Sequence, residues 1–374
     1  MQEADSVLET PVANVFIPPS VHHDSLGTGD SYTHFSPVPP ALMPSSSTST
    51  PEDAAGVPCC LGVDEAGRGP VLGPMVYGVF YLPLALSDPL LRDKHHFDDS
   101  KVLTPAVRSN LMQALCMPPD SSTQSETATA EPTLYTHTGW ATTALSARSI
   151  SAAMYRPGAA YNLNAQAMDA TIELIRGVFA RGVNVKEIYV DTIGQPAAYQ
   201  KKLERVFPAV QITVAKKADS LYPCVSAASV CAKVTRDACL EVLYEQQLEV
   251  ERSMMARRNG QEQGDEEGEE GQEDEEKGTG MAWGSGYPSD ARCVTWMKAN
   301  MHPVFGWGPE CRFSWGTAKD MIETKGNGVK VEWPLDDDGE TGRVTDFFVS
   351  SNDRELDGDE LGTWFGTPVG VETF

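Results

Sequence analysis

Basic residues are missing from two stretches of the sequence and scarce in a third. Residues 1–58 contain 7 acidic residues and no Lys or Arg, residues 259–276 contain 10 and none, and residues 332–374 contain 12 with 2 Arg. These stretches hold 29 of the 53 acidic residues, which leaves 24 acidic against 27 basic residues in the rest of the chain. The formal charge of −24 therefore does not exclude a nucleic-acid partner, although phosphate binding depends on Lys and Arg.

Long apolar runs, targeting signals and paired cysteines are also absent. No run of about 18 apolar residues occurs, so no membrane-spanning helix is expected. The first residues, MQEADSVLET, have neither a basic region nor an apolar stretch after them, so we expect neither a secretory signal nor a transit peptide. The eight cysteines form no Cys-x-x-Cys pair. This predicts reduced, mostly buried thiols in a cytosolic or nuclear protein rather than disulfides or a zinc site.

Composition divides the chain into a body and three appendages. Residues 1–58 are rich in Pro, Ser and Thr and lack hydrophobic periodicity, which predicts a disordered N-terminal extension. The body, 59–323, is long enough for one large domain or two small ones, each with its own core. The acidic tract 259–280 is predicted to be a solvated, disordered insertion, and the acidic tail 324–374 to be mostly disordered.

The body alternates between strand and helix patterns. Two apolar runs, 59–63 and 71–82, are separated by a glycine-rich turn and predict a β-hairpin. Thr104 before Pro105 predicts a helix start with Thr104 as the N-cap. The remaining predicted elements are a strand at 133–141, helices at 143–154 and 162–181, a strand at 186–191, a helix at 196–206, a strand at 209–215, a long helix from about 223 and a helix capped by Ser289 or Asp290. This order predicts an α/β fold with a mixed sheet.

Four acidic residues follow predicted strands: Asp64 and Glu65 after the first strand, Asp191 after the strand that begins at 186, and Asp219 just beyond 209–215. Open α/β sheets build their sites at strand ends, so the four carboxylates are expected to converge. Clustered carboxylates raise one another's pKa unless a cation neutralises them, and oxygen ligands suit Mg²⁺ or Mn²⁺. Two such ions are a usual means of hydrolysing a phosphodiester. The alternative for Asp191 or Asp219 taken alone is a strand-end cap or a turn former.

The pair of acids at 64 and 65 is followed almost at once by Gly67, Arg68 and Gly69. Glycines let the backbone come close to a ligand, and the arginine offers one guanidinium for a phosphate. A glycine-rich turn alone is weak evidence for a site. Together with the two acids before it, the turn favours a ligand that contains phosphate.

The run LGVDEAGRGPVLGPMV at residues 61–76 resembles the signature of the ribonuclease HII family. Further motifs follow in the family's order: DSK at 99–101, YNLN at 161–164, VDTIG at 190–194, KAD at 217–219, SAASVCAKV at 226–234 and GSGYP at 284–288. The resemblance covers about 59–323. The form of these motifs, with the segment HPVFGWGPECRFSW, is similar to the catalytic subunit of the eukaryotic type 2 ribonuclease H rather than to the bacterial enzyme.

The resemblance implies a ribonuclease H-like fold, with a mixed central sheet flanked by helices and a helical C-terminal extension. It implies an endonuclease that hydrolyses the RNA strand of RNA–DNA hybrids and incises on the 5′ side of single ribonucleotides in duplex DNA, leaving a 3′-hydroxyl and a 5′-phosphate. Two divalent ions, Mg²⁺ or Mn²⁺, would be held by Asp64, Glu65, Asp191 and Asp219. The cellular roles implied by this activity are ribonucleotide excision repair, mismatch repair and the removal of RNA primers in DNA replication. The implied location is the nucleus, with a cytoplasmic pool left open.

The resemblance also implies a set of substrate contacts. Gly67, Arg68 and Gly69 match the loop that recognises the ribonucleotide and its 2′-hydroxyl. Tyr287 matches the tyrosine that senses the junction with the following deoxyribonucleotide, and a phenol ring can stack on a deoxyribose where a 2′-hydroxyl would not fit. The other matches are predicted contacts to phosphates or to the substrate backbone: Lys101, Lys233, Arg236, Asn162 and Asn164. Surface charge is the alternative for each basic residue, and a helix N-cap is the alternative for one of the asparagines.

Partner predictions rest on the resemblance and on the tail. The eukaryotic relatives imply a heterotrimer with two noncatalytic subunits. Val344, Phe347 and Phe348 have the spacing of a motif that binds sliding clamps, but Thr341 stands where that motif has Gln, so packing on a partner subunit or on the core is favoured. Two other functions stay open: a carboxylate phosphodiesterase acting on DNA alone, and a noncatalytic scaffold. The loop and the tyrosine argue against the first, and the four intact acids argue against the second.

Overall fold

A computed structural model describes the chain over ten ranges: 16–44, 56–98, 102–118, 131–156, 161–192, 194–262, 281–324, 328–329, 331–332 and 367–368. No helix within these ranges is long and apolar enough to cross a membrane. Three subjects of the sequence predictions lie outside them: Lys101, most of the acidic insertion, and the tail segment from Thr341 to Phe348.

Six strands form one mixed sheet. They are β1 (Tyr32–Phe35), β2 (Cys59–Ala66), β3 (Met75–Pro83), β4 (Gly139–Leu145), β5 (Val185–Asp191) and β6 (Gln211–Ala215). In the sheet order β1-β4-β3-β2-β5-β6, the first four strands are antiparallel neighbours, whereas β5 lies parallel to both β2 and β6. The carboxyl ends of β2, β5 and β6 therefore meet at one edge, where α/β sheets place their sites.

Helices pack on both faces of this sheet, and others lie in a third cluster near the C-terminal part of the described chain. They are α1 (His23–Thr28), α2 (Pro105–Cys116), α3 (Leu134–His137), α4 (Ala147–Met154), α5 (Leu163–Ala180), α6 (Pro196–Val206), α7 (Ala218–Leu221), α8 (Pro223–Glu262), α9 (Ala291–Ala299) and α10 (Gly316–Glu323). A separate two-stranded sheet pairs β7 (Val331–Glu332) with β8 (Thr367–Pro368). The α/β fold with a mixed sheet and a helical C-terminal region is confirmed.

The core has two main layers, one on each face of β2. On one face, Leu61 and Val63 are buried with Leu174 of α5. On the other face, Cys60 is buried with Val225 and other residues of α8. Because successive side chains of a strand point to opposite faces, β2 is held between these two helices.

Two glycines let α8 approach the sheet closely. A Cβ at Gly62 would lie 2.2 Å from the carbonyl oxygen of Cys224, and one at Gly78 would lie 2.6 Å from that of Ala228. A side chain at either position would push the helix away from β2 and β3. This close approach is what brings Ser229 of α8 to the end of β2.

Several local predictions are confirmed. β2 and β3 pair along their length as the predicted hairpin. The side chain of Thr104 caps α2, accepting a hydrogen bond from the backbone N of Val107 at 3.4 Å. Asp290, rather than Ser289, caps α9 and accepts from the backbone N of Arg292 at 3.0 Å. These caps depend on neighbouring residues, which is why the sequence alone predicts them.

The predicted disorder of residues 1–58 is wrong for their described part. Strand β1 pairs with β4 at the edge of the sheet. Leu26 and Leu42 are buried in the body of the protein. The side chains of Thr33 and Thr143, which lie opposite each other, are 110 residues apart in sequence and 2.9 Å apart in space. A partner so distant leaves no mark on local composition.

The predicted strand at 133–141 and helix at 143–154 are displaced. Thr133 caps α3 instead, and Ser146 caps α4, so the strand lies between the two caps. The stretch from 133 is not extended at its start, because the Thr133 hydroxyl accepts a hydrogen bond from the backbone N of Thr136 and starts a helical turn there. Helix α8 also continues to Glu262, into the first part of the predicted insertion.

Candidate active site

Asp64 and Glu65 lie at the carboxyl end of β2 and serve opposite faces of the sheet. Asp64 is buried and is bonded to Ser229 of α8. Glu65 is half-buried and lines a cavity on the side of α5. The two adjacent carboxylates therefore reach the sheet edge from both sides of one strand.

Asp191 and Asp219 reach the same edge from β5 and α7. The parallel register of β2 and β5 ends at the pair Val63–Val190, so Asp64 and Asp191 are the next residue of each strand, and the charge of Asp191 raises the pKa of Asp64. The Oδ1 atom of Asp191 accepts a hydrogen bond from the backbone N of Ala218 at 2.8 Å, and Asp219, which is buried, is the next residue. The structure thus brings all four predicted acids to one edge of the sheet.

The turn before Asp219 has a strained backbone. Lys217 adopts a left-handed conformation, with φ 57° and ψ 39°. A residue other than glycine is uncommon there, and strain of this kind concentrates at functional sites. Here it accompanies the turn whose Ala218 N–H bonds to Asp191.

The electrostatics of Asp64 favour a positive partner. Burial raises the pKa of Asp64 well above its usual range, and the charges of Glu65 and Asp191 raise it further. Hydrogen bonds from Ser229 and from the backbone N of Glu65, the latter at 2.7 Å, act in the opposite direction. The ionised carboxylate is therefore disfavoured, and a cation among these acids would reverse that balance.

The donor chemistry of the site fits a hard divalent cation, because the four predicted ligands offer only carboxylate oxygens. Within the described ranges, however, no three His, Cys, Asp or Glu side chains are gathered closely enough to form a metal-binding group. The carboxylates share an edge and affect one another's charge. An ion would have to draw them together into one ligand set.

A cavity of about 590 Å³ opens beside these acids, between the sheet edge and the starts of α5 and α6. Its wall includes Glu65 and Asp191, and it also includes the cationic side chains of Arg68 and Lys202. Its volume lies in the range of ordinary ligand pockets. Carboxylates beside cationic groups suit a phosphate ester that is bound together with metal ions.

Geometry requires a glycine at position 67, and Gly69 lies against the ring of Tyr287. Gly67 has φ 78°, and a Cβ there would lie 2.8 Å from the carbonyl oxygen of Pro74. A Cβ at Gly69 would lie 3.0 Å from the ring of Tyr287. The predicted loop and the predicted tyrosine, more than two hundred positions apart in the sequence, are therefore immediate neighbours.

Arg312 holds this loop from below, and the sequence predictions missed it. It is fully buried, and its guanidinium donates to the carbonyl oxygens of Gly67 at 2.7 Å, Gly73 at 3.0 Å and Arg68 at 3.2 Å. Burial, together with the charge of Arg236, lowers the pKa of Arg312 to about 9. The group is therefore still charged near neutral pH and fixes the loop backbone.

Trp315 adds a second support that the sequence predictions also missed. Its indole N–H donates to the carbonyl oxygen of Gly69 at 3.0 Å. The Arg312 guanidinium lies over its ring, 4.8 Å from the centroid. The only signal for either residue was that both belong to the segment HPVFGWGPECRFSW. The burial of Arg312 was not expected, since arginine is rare in protein interiors.

Arg236 has a different position from the predicted phosphate contact. Its side chain is 3% exposed, and it bonds to the carbonyl oxygen of Ser285 at 2.7 Å and to Asp237 at 3.1 Å. Its guanidinium lies 5.8 Å from the ring centroid of Tyr287, which is itself exposed. The prediction for Arg236 is corrected: it supports the turn that presents Tyr287, from a position beneath the surface.

Lys233 shares the same acid, Asp237. Its Nζ atom lies 3.0 Å from Oδ1 of Asp237, and about a third of its side chain is exposed. Burial would raise the pKa of Asp237, but the charges of Lys233 and Arg236 outweigh burial and lower it. A phosphate contact by Lys233 stays a prediction.

The two asparagines have separate tasks. Asn162 caps α5, and its Oδ1 atom accepts from the backbone N of Asn164 at 3.0 Å and of Ala165 at 3.1 Å. Asn164 accepts a hydrogen bond from the guanidinium of Arg68. The N-cap alternative thus holds for Asn162, whereas Asn164 meets the loop after β2.

Comparison with known proteins points to one family. The model of the family described as Ribonuclease HII matches residues 61–254. A Neurospora crassa protein named as a subunit of Ribonuclease H2 is 57% identical over 97% of this chain and 98% of its own length. Proteins with the same subunit name from Schizosaccharomyces pombe and Homo sapiens are 38% and 36% identical, over 94% and 79% of this chain and 89% and 84% of their own. The crystal structure of ribonuclease H2 from Pyrococcus horikoshii is 25% identical, with a TM-score of 0.49 over 71% of this chain and 97% of that one.

Proposed function

Because the chain belongs to the ribonuclease HII family and is therefore a ribonuclease H, we propose that it hydrolyses RNA in RNA–DNA hybrids and incises duplex DNA on the 5′ side of single ribonucleotides. The observation that carries this proposal is the contact between the loop of Gly67 to Gly69 and Tyr287, beside four acids at one sheet edge. Cleavage at a junction requires groups for the ribose, for the following deoxyribose and for the phosphate between them. The proposal assigns these tasks to the Gly67–Gly69 loop, to Tyr287 and to the four acids.

The proposal assigns two divalent ions, Mg²⁺ or Mn²⁺, to Asp64, Glu65, Asp191 and Asp219. When bound, such ions activate water and stabilise the leaving oxygen of a phosphodiester. The chain's own part is to hold the acids at one edge of the sheet. The β2–β5 ladder fixes the ends of two strands, and the Ala218 N–H holds the side chain of Asp191. The raised pKa of Asp64 supports the assignment. Burial and the neighbouring carboxylates disfavour its ionised form, and a bound cation would remove that cost in free energy.

Selectivity for ribose would come from the loop. Its backbone N–H groups and Arg68 would bind the 2′-hydroxyl and the neighbouring phosphate, and Tyr287 would stack on the next deoxyribose. Arg312 and Trp315 donate hydrogen bonds to the carbonyl oxygens of the loop, so the loop is fixed before substrate binds. A site prepared in this way loses less entropy on binding.

Three end-labelled duplexes test the proposal. One carries a single ribonucleotide in a DNA strand, the second has an all-RNA strand, and the third is all DNA. With Mg²⁺ or Mn²⁺ present, we expect cleavage of the first two, with the cut in the first on the 5′ side of the ribonucleotide and a 3′ end that a DNA polymerase can extend. Equal cleavage of the all-DNA duplex, or no cleavage of the other two, would contradict the proposal.

We further propose that the chain works in a heterotrimer with two noncatalytic subunits. The relatives that match nearly the whole chain are each named as one subunit of Ribonuclease H2, which supports a multi-subunit assembly. Size-exclusion chromatography and a cleavage assay on the chain expressed alone test this. We expect weak cleavage by the isolated chain and faster cleavage when the partner subunits are added. Full activity of the isolated chain would contradict it. The nuclear location and the roles in repair and replication stay predictions that follow from the substrate.

A further inference from the structure

Asn164 and Arg68 join two elements across the site. The Nη2 atom of Arg68, in the loop after β2, donates to the side-chain oxygen of Asn164, in the first turn of α5. The cap of that helix is already supplied by Asn162. The Asn164 amide is therefore not needed to start the helix, and its contact with Arg68 requires another explanation.

The contact lies at the edge of the charged cavity. Arg68 and Asn164 both line the cavity of about 590 Å³, together with Glu65. The backbone of Arg68 is fixed at its carbonyl oxygen by Arg312. With its guanidinium bonded to Asn164 as well, the long side chain is held at both ends, and the entropy that such a side chain loses on binding a ligand is already lost.

The neutrality of Asn164 matters for what Arg68 can do. An aspartate in its place would form an ion pair and cancel much of the guanidinium charge. An asparagine oxygen accepts the same hydrogen bond and leaves the positive charge available for a phosphate. A guanidinium that is both aimed and still charged is suited to the phosphate at the cleaved bond.

We propose that Asn164 is a positioning residue, which acts through Arg68 and sets its guanidinium for the phosphate next to the ribonucleotide. This deepens the sequence prediction for Asn164, which was a direct contact with the substrate backbone. The inference rests on the proposed ribonuclease function. It predicts that the two residues act as one unit in cleavage.

A double-mutant cycle on the active full-length enzyme tests this unit. Asn164→Ala and Arg68→Ala should each lower kcat/KM at a single ribonucleotide about tenfold or more, the factor expected for a lost hydrogen bond to a charged group. The double variant should be no slower than Arg68→Ala alone. Asn164→Asp should keep Arg68 in place but raise KM, because the charge offered to the phosphate falls.

Glu173→Ala is the matched control and should leave cleavage unchanged. Glu173 lies on the exposed side of the same helix, where it forms an ion pair with Arg176. Equal loss from Asn164→Ala in both backgrounds would show a direct substrate contact and overturn the inference, as would no loss at all. If the unmodified enzyme fails to cut at ribonucleotides, the proposed function itself is wrong. The two failures are therefore distinguishable.

Discussion

Arg312 is a buried cation that donates to three carbonyl oxygens of the connection between β2 and β3. A planar guanidinium can reach three such acceptors from a single position, whereas a lysine ammonium is a point charge on a flexible stem. The residue is therefore not exchangeable for another cation. Its burial also places a positive charge under the Gly67–Gly69 loop, beside the site where a phosphate would bind.

Arg312→Lys should both loosen the loop and destabilise the protein. Loss of two of the three carbonyl contacts should lower the free energy of unfolding by about 2 kcal/mol or more, since buried acceptors are left without donors. Cleavage at a ribonucleotide should fall about tenfold or more. Denaturant unfolding and kcat/KM measure the two effects, with Arg176→Lys on the surface as control. Unchanged cleavage would mean that the loop does not depend on Arg312.

Single residues of the site differ in how far a sequence can reveal them. Asp64, Glu65 and the loop after them could be found because their chemistry and their order are local. Arg312 could not be found, because nothing in the residues beside it says that it is buried or that its partners lie near position 70. The phosphate contact predicted for Arg236 failed for the same reason, since an arginine is expected on the surface unless its burial is known.

Among the helices and strands, the close packing of α8 on β2 decides where Asp64 lies. Gly62 allows the helix to contact the strand backbone, and Ser229 on that helix bonds to Asp64. The position of the first acid is therefore set by a helix as well as by its own strand. This links a packing feature of the core directly to the site.

Gly62→Ala tests that link. Its Cβ would lie 2.2 Å from the carbonyl oxygen of Cys224, and backbone atoms cannot move aside cheaply. We expect a loss of about 3 kcal/mol in the free energy of unfolding, at the upper part of the range for overpacking, and reduced cleavage. Gly316→Ala is the control, since no atom lies within 4 Å of its Cβ. If both variants unfold at the same denaturant concentration as the parent, the close packing is not what the structure indicates.

The cap of α9 gives a prediction about pH. Burial acts to raise the pKa of Asp290, but hydrogen bonds from Ser285 and Arg292 outweigh it and lower the pKa to about 2, from an ordinary value of 3.8. Because the folded-state pKa is the lower one, the ionised carboxylate stabilises the fold above about pH 4, and this contribution is lost as the pH falls from about 3.8 to about 2.

The comparison of unfolding temperatures between the parent and Asp290→Asn measures this contribution. The other acids titrate alike in both proteins and cancel. The advantage of the parent should be constant above about pH 5 and should shrink toward pH 2.5. An advantage of the same size at pH 2.5 and pH 6 would contradict the lowered pKa.

Elements differed in how far the sequence revealed them. Helices α2, α5 and α6 have caps or proline starts within their own sequence and were predicted nearly to their ends. Strand β1 was missed because it depends on a partner strand that the chain reaches much later. Local signals therefore sufficed for these three helices, whereas the long-range pairing of β1 with β4 left no signal in the local sequence.

Across the protein as a whole, charge is divided between a nearly balanced body and acidic stretches. The body has a small basic excess, so the net charge of −24 does not oppose a nucleic-acid substrate at the site itself. The cavity wall has cationic groups beside its acids. The division predicts that the acidic residues 263–280 can change without loss of cleavage.

Deletion of residues 263–280 should leave kcat/KM on an RNA–DNA hybrid within about twofold, since none of the predicted site residues is among them. Substrate titration with the parent and the deletion variant at one salt concentration measures this, because binding to phosphates depends on salt. A matched variant with a neutral Gly-Ser segment of the same length separates charge from chain length. A several-fold fall in affinity on deletion would mean that the acidic stretch takes part in binding.

Asp64→Asn decides whether the acids at one sheet edge perform the cleavage. The measurement is the Mg²⁺-dependent rate of cutting a duplex with a single ribonucleotide, together with the unfolding temperature of each protein. We expect cleavage to fall by about 10²-fold or more. The unfolding temperature without metal should be unchanged or higher, because the variant removes a carboxylate whose ionised form burial and its neighbours disfavour. Retained metal-dependent cutting by a folded Asp64→Asn protein would show that these acids do not carry out the reaction.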